Sequence, residues 1–225
     1  MDIGSPEWDH LLIDGAAAFG VQLQLEHTRL FARHATELLK WNEVTNLTAI
    51  TQPESIIRNH FLDSLAPAPF IAPGSEMLDV GSGGGFPGLP LHIAIDGLRT
   101  TLLDAVRKKV SFLRYLVREM ALTGIEARHL RVEQLSAGSV NRKRSYDVII
   151  SRAFSAVAPF VRSVWPLLRS GGRVIALKGQ ISATEMYALK DVLSAEATVG
   201  SLEQIGYSIP GLASERTLLI VRCRG

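Results

Sequence analysis

Leu78-Asp79-Val80-Gly81-Ser82-Gly83-Gly84-Gly85-Phe86-Pro87-Gly88 is the stretch on which the reading of this chain turns. Together with Glu76 and Met77, its first residues form a short, largely apolar run that predicts a strand, Glu76–Val80. The glycines that follow clear side chains from a tight turn and offer bare backbone where a ligand must come close. From Leu89 to Ile95 the pattern predicts a helix. A second strand, Thr100–Leu103, ends at Asp104, 23 residues after Gly81. In a strand–turn–helix–strand unit, a carboxylate there can accept hydrogen bonds from both hydroxyls of a ribose.

Working outward, strands and helices keep alternating. Arg107–Leu122 predicts a helix with Val110, Leu113, Leu116, Val117 and Met120 facing inward. Strands follow at Ile125–Val132 and Tyr146–Ser151, then a helix at Ala156–Leu168, a strand at Gly172–Lys178 and a helix at Ala183–Leu193. The last two strands, near Ala197–Gln204 and Thr217–Val221, have no helix between them, which predicts a closing hairpin. The fold class is α/β: a mostly parallel, seven-stranded sheet with helices on both faces. Upstream, Leu25–Trp41 and Pro53–Phe70 carry helical stripes, and Pro67, Pro69 and Pro73-Gly74 then break the chain. The expected division is a small helical region, 1–70, before a Rossmann-like ligand-binding domain, 71–225.

Composition narrows the classes. No apolar run reaches the ~18 residues of a membrane span, and the acidic, turn-like start lacks the basic and apolar regions of an export signal. The single cysteine, Cys223, cannot form an internal disulfide, and Cys-x-x-Cys and His-Glu-x-x-His are absent, so no metal site is expected. A cytoplasmic protein follows. Residues 1–70 carry a charge balance of −5 and residues 71–225 one of +7, so the basic part of the chain fits a polyanionic partner.

Two cofactors compete for the glycine turn. Gly83-x-Gly85-x-x-Gly88 satisfies a dinucleotide fingerprint, in which a helix N-terminus receives a pyrophosphate. Asp79-x-Gly81-x-Gly83-x-Gly85 instead resembles the signature of Rossmann-like class I methyltransferases. S-adenosylmethionine carries an ammonium and a sulfonium but no phosphate, and an acid just ahead of the glycines suits those cations. The chain also leaves little room for a separate dehydrogenase substrate domain. The methyltransferase pattern is therefore preferred, and a Walker loop is excluded because no Gly-Lys-Ser/Thr occurs.

The chain further resembles the bacterial 16S rRNA guanine-N7 methyltransferases, once named glucose-inhibited division protein B, from about Leu38 to Val221. The resemblance rests on Lys40-Trp41-Asn42, Asn46-Leu47-Thr48, His60-Phe61-Leu62-Asp63-Ser64, the glycine turn continued by Leu89-Pro90, Leu103-Asp104, Arg131-Val132-Glu133, Ser151-Arg152-Ala153-Phe154 and Ala176-Leu177-Lys178-Gly179. It implies methyl transfer from S-adenosylmethionine to N7 of guanine 527. The implied cofactor residues are Asp79, Gly81, Gly83, Gly85 and Phe86 in and before the glycine loop, then Asp104 for the ribose with Ala105 and Val106 beside it. Val132 and Glu133 would sit at the adenine, and Arg152 where substrate and cofactor meet. The implied partner is 16S rRNA or the small ribosomal subunit; the chain itself is expected to be a monomer.

Arg152 and Lys178 end strands and so face the crevice of an open α/β sheet. Guanine N7 has a lone pair and no proton, so no general base is needed. A cation beside it would oppose the developing charge, which assigns Arg152 to positioning. His60 and Asp63 read as a packed pair supporting the cofactor domain, and Trp41, Asn42 and Asn46 as packing and capping residues or RNA contacts. Arg107-Lys108-Lys109 with Arg114 and Arg118, and Arg142-Lys143-Arg144, are candidate phosphate contacts, and Phe154 and Pro159 candidate walls for a base. The competing functions are a methyltransferase of the same fold acting on a small molecule or protein, and an RNA-binding protein that keeps the fold without catalysis.

Overall fold

A computed structural model describes residues 1–137, 145–152, 154 and 156–225. Seven strands form one sheet: β1 Glu76–Val80, β2 Arg99–Asp104, β3 Ile125–His129, β4 Tyr146–Ser151, β5 Leu168–Lys178, β6 Val199–Ser208 and β7 Glu215–Cys223. Their spatial order is β3-β2-β1-β4-β5-β7-β6. The pairs among β1 to β5 are parallel, whereas β7 runs antiparallel to both β5 and β6. The mostly parallel sheet with a terminal hairpin is as expected, with β7 inserted between β5 and β6.

Nine α-helices are described: α1 Pro6–Ala17, α2 Leu25–Thr45, α3 Pro53–Ile56, α4 Asp63–Leu65, α5 Gly88–Ala94, α6 Arg107–Glu119, α7 Val132–Ala137, α8 Val157–Val164 and α9 Ala183–Ser194. In α6 the amphipathic stripe buries Val110, Phe112, Leu113 and Leu116 and leaves Arg107, Lys108, Arg114 and Arg118 exposed. Segments α3 and α4 are one helical run interrupted by a π-helical turn, Ile57–Leu62. Such turns often accompany functional sites, and this one carries His60 and leads into Asp63.

The structure extends or shortens several expected elements. β3 stops at His129, three residues before the expected end, and Val132 and Glu133 open α7 instead. Leu130 and Arg131 make the turn, with Leu130 N–H bonded to the Asp104 carbonyl at 3.2 Å. β5 starts at Leu168 and β6 runs on to Ser208, because pairing with β4 and β7 extends both. Helix α1, which no motif marked, is capped by Ser5 and buries Trp8, Leu12 and Ala16. One apolar cluster joins Trp8, Phe31 and Phe61 of the N-terminal helices to Phe112, Ile150 and Ile175 of the sheet layer.

Candidate active site

The glycine turn sits at the C-terminal end of β1, an interior strand lying between β2 and β4, where ligands bind in open α/β sheets. Gly81, Gly83 and Gly85 all have positive φ, at 76°, 58° and 96°, a conformation that side chains disfavour. Asp104 braces the loop: one carboxylate oxygen accepts from Gly83 N–H at 2.9 Å and the other from Val106 N–H at 2.8 Å. Each oxygen keeps a second lone pair for a ligand hydroxyl.

Asp79 stands behind the loop. Its Oδ2 accepts from Gly88 N–H at 2.9 Å, and its Oδ1 is buried with no partner among the described residues. Burial pushes its carboxyl up to about 7, against the opposing pull of the Gly88 hydrogen bond. A Cβ on Gly88 would lie 2.6 Å from Asp79 Oδ2, so this position accepts only glycine unless the packing shifts. Phe86 also turns inward. Its ring is sandwiched between His34, at 4.7 Å and 13°, and His60, at 4.5 Å and 17°.

In front of the loop lies a cavity of about 180 Å³ lined by Gly81, Asp104, Ala105, Val132, Glu133 and Phe154, among others. These residues include five of the expected cofactor positions. The others surround it: Gly83 and Gly85 shape the loop, Val106 is exposed beside it, and Asp79, Phe86 and Arg152 do not line it. Asp79 and the ring of Phe86 therefore support the loop from behind.

A second cavity, about 190 Å³, is lined by Asp63, Arg152, Phe154, Lys178, Tyr207 and Arg216, with Phe154 common to both. Arg152 Nη1 donates to the Asn59 carbonyl at 2.9 Å and to Asp63 Oδ2 at 3.1 Å, and Nη2 to His60 Nδ1 at 3.4 Å. His60 Nε2 then faces Thr48 Oγ1 at 2.8 Å. Burial, reinforced by the Arg152 charge, lowers the His60 pKa to about 3, so the ring is neutral. Asp63 is 1% exposed and is also held by the Tyr207 hydroxyl at 2.7 Å and Arg216 at 3.2 Å. Burial and Asp63 together push the Tyr207 hydroxyl far above its ordinary range. Lys178 pairs with Glu185 at 3.0 Å and reaches the Phe154 carbonyl at 3.4 Å.

His60 and Asp63 thus meet through Arg152 and not through each other. Asn42 Oδ1 accepts from Leu47 N–H at 2.7 Å and Thr48 N–H at 2.9 Å, Asn46 takes a left-handed cap, and Trp41 packs on Phe112 and Tyr115. This triplet packs and caps, bringing Thr48 to His60. Phe154 stacks on Phe160 at 4.7 Å. Arg142-Lys143-Arg144 lies outside the described residues. Sequence reasoning missed His34, Tyr207 and Arg216, whose only signal is the company they keep in space.

The residues fit S-adenosylmethionine. Asp79 leaves a buried oxygen unsatisfied behind the glycine loop, and the carboxylates of Asp104 and Glu133 flank the cavity, which suits a ligand that carries cationic groups. A seven-stranded sheet of this order, with a glycine turn after β1 and an acid ending β2, defines a Rossmann-like S-adenosylmethionine-dependent methyltransferase. Among solved structures, the chain is similar to an O-methyltransferase from Bacillus cereus in complex with SAH (TM-score 0.62, 19% identity, 85% of this chain and 90% of that one). It is also similar to a putative S-adenosyl-L-methionine-dependent methyltransferase from Methanococcus maripaludis (TM-score 0.54, 18% identity, 85% and 92%).

The particular family is equally plain. The profile of GidB, described as rRNA small subunit methyltransferase G, matches residues 27–207. The chain is 42% identical to ribosomal RNA small subunit methyltransferase G of Geobacter sp. (strain M21), over 94% of this chain and 95% of that one. It is 40% identical to the protein of the same name from Leptothrix cholodnii, over 97% of each. The chain belongs to this family of methyltransferases. No described helix is long and apolar enough to cross a membrane.

Proposed function

We propose that the protein transfers the methyl group of S-adenosylmethionine to N7 of guanine 527 in 16S rRNA, acting as a cytoplasmic monomer on the small ribosomal subunit. The observation that carries this reading is the pair of cavities sharing Phe154, one beside Asp104 and Glu133, the other beside Arg152 and Lys178. The cofactor, when bound, supplies an electrophilic methyl on a sulfonium.

In this reading Asp104 takes the ribose, and Glu133 or the Val132 backbone amide reads the adenine. The guanine enters the second cavity against Phe154. Guanine N7 needs no proton removed, and the ionisable groups around Asp63 are committed to one another. Arg152 points its guanidinium at Asn59, His60 and Asp63, which suits a wall that positions the base without opposing the charge developing on it. Aligning the nucleophile with the methyl and excluding water is then the protein's main contribution. In A-form RNA the major groove, where N7 lies, is too deep and narrow for side chains, so the target must be in a loop or be extruded.

The test is transfer from labelled S-adenosylmethionine to small subunits lacking the modification, followed by nucleoside analysis. Label in 7-methylguanosine is expected. Label in another nucleoside, or in a protein fraction, overturns the assignment.

A further inference from the structure

We propose that His34, on helix α2, is a positioning residue of the cofactor site, fixing the glycine loop from behind through its hydrogen bond to Gly84 and its stack on Phe86. The inference rests on the loop's holding S-adenosylmethionine.

The loop must be held by something, because consecutive glycines lose more conformational freedom on ordering than any other residues. Asp104 pins Gly83 N–H from the front. Within the loop, Gly85 and Phe86 N–H donate to the Ser82 carbonyl at 2.7 and 2.9 Å. The carbonyl of Gly84 points the other way, and His34 Nε2 meets it at 2.7 Å. Nε2 must carry the proton to donate there, which leaves Nδ1 as a bare lone pair. That nitrogen is buried without a partner among the described residues. Burial keeps the ring neutral, with a pKa near 4, so no counter-ion is required.

The orphaned Nδ1 separates a loop anchor from a filler of space. His34 is 0% exposed, edge-on to Phe61 at 5.4 Å and stacked on Phe86 at 4.7 Å. A phenylalanine would fill much the same volume and leave no buried nitrogen unsatisfied. What the imidazole adds is the donor to Gly84. The approach is close throughout: a Cβ on Gly85 would lie 3.3 Å from the His34 ring, and one on Gly84 3.0 Å from Leu38 of the same helix. Phe86 passes the constraint on, since its far face lies on His60, which accepts from Arg152 of the second cavity. Helix α2 is therefore the back wall of the cofactor site, and His34 its point of attachment.

The full-length protein carrying His34→Phe keeps a ring and loses the donor, whereas His34→Gln offers a side-chain N–H in its place. Titration calorimetry with S-adenosylhomocysteine is expected to give a Kd about tenfold higher for His34→Phe, with His34→Gln within about threefold of wild type, at similar melting temperatures. A role in packing alone leaves both the melting temperature and the Kd near wild type, because phenylalanine supplies the same bulk. Binding by folded His34→Phe within twofold of wild type would overturn the proposal. Should His34→Phe not fold, ¹⁵N-histidine NMR of the wild type decides. A protonated Nε2 whose signal moves on adding S-adenosylhomocysteine supports the anchor, and an unmoved or Nδ1-protonated ring overturns it. Failure of the wild type itself to bind would instead strike at the reading of the cofactor site.

Discussion

The guanidinium of Arg152, at the end of β4, meets the carboxylate of Asp63, at the start of α4, at 3.1 Å. Asp63 is almost wholly buried, so this contact ties the N-terminal helical run to the crevice of the sheet. The same carboxylate holds Tyr207 of β6 and Arg216 of β7. Replacing Arg152 by alanine leaves Asp63 two partners, so the protein should stay folded, at a loss of about 2 kcal/mol. Methyl transfer should fall by about 100-fold, the scale on which a small misplacement costs rate. Near-normal turnover in a steady-state assay would retire the positioning role.

Asp104 makes two loop hydrogen bonds as well as facing the cavity. Asp104→Ala removes both and the expected ribose acceptor together. Cofactor affinity should drop by about 100-fold, some 2.7 kcal/mol, with Asp104→Asn intermediate because an amide retains one acceptor oxygen. Calorimetric titration of folded variants checks this, and an unchanged Kd for Asp104→Ala would remove Asp104 from the site.

Gly88→Ala tests the close approach of α5 to β1. Its Cβ would meet Asp79 Oδ2 and Leu102 Cδ2, both at 2.6 Å. Overpacking of this kind costs about 1–3 kcal/mol, so the denaturation midpoint should fall clearly below that of wild type. A midpoint equal to wild type would mean that the loop yields more readily than its hydrogen bonds indicate.

The glycine turn, Asp104 and the alternating strands were legible because each is a local pattern in which backbone need and residue type coincide. The end of β3 was not. Leu130-Arg131-Val132 continues a strand-like apolar alternation, and only the Leu130 bond to the Asp104 carbonyl marks the turn. His34 lies on a helix among Phe31, Ala35 and Leu38, indistinguishable in sequence from any core position. Tyr207 and Arg216 come to Asp63 only because β7 inserts between β5 and β6, an order that the sequence does not encode locally. Likewise, no residue pattern announced the π-helical turn that carries His60.

Acid should act on the buried histidines. Burial lowers the His34 pKa to about 4, and burial with the Arg152 charge lowers that of His60 to about 3, from an ordinary 6.5. Below pH 6.5 the unfolded chain takes up protons that the folded one refuses, so their contribution to stability is lost as pH falls from 6.5 towards 4. Asp79 works in the opposite sense: raised from 3.8 to about 7, it favours the folded state at low pH and loses that contribution as pH rises through 7. His34→Phe should therefore lose less stability than wild type between pH 6.5 and 4, by about 3 kcal/mol at ~1.4 kcal/mol per pKa unit. Denaturant melts across that range check it; parallel curves for the two proteins would contradict it.

Methyl transfer to one extruded guanine, as proposed above, is checked most directly by mapping the modified position. Small subunits from cells lacking the modification, treated with the protein and S-adenosylmethionine, are digested into 16S rRNA fragments for mass spectrometry. A single added methyl group, on guanine 527, is expected. Methylation spread over many guanines, or confined to another position, would contradict it.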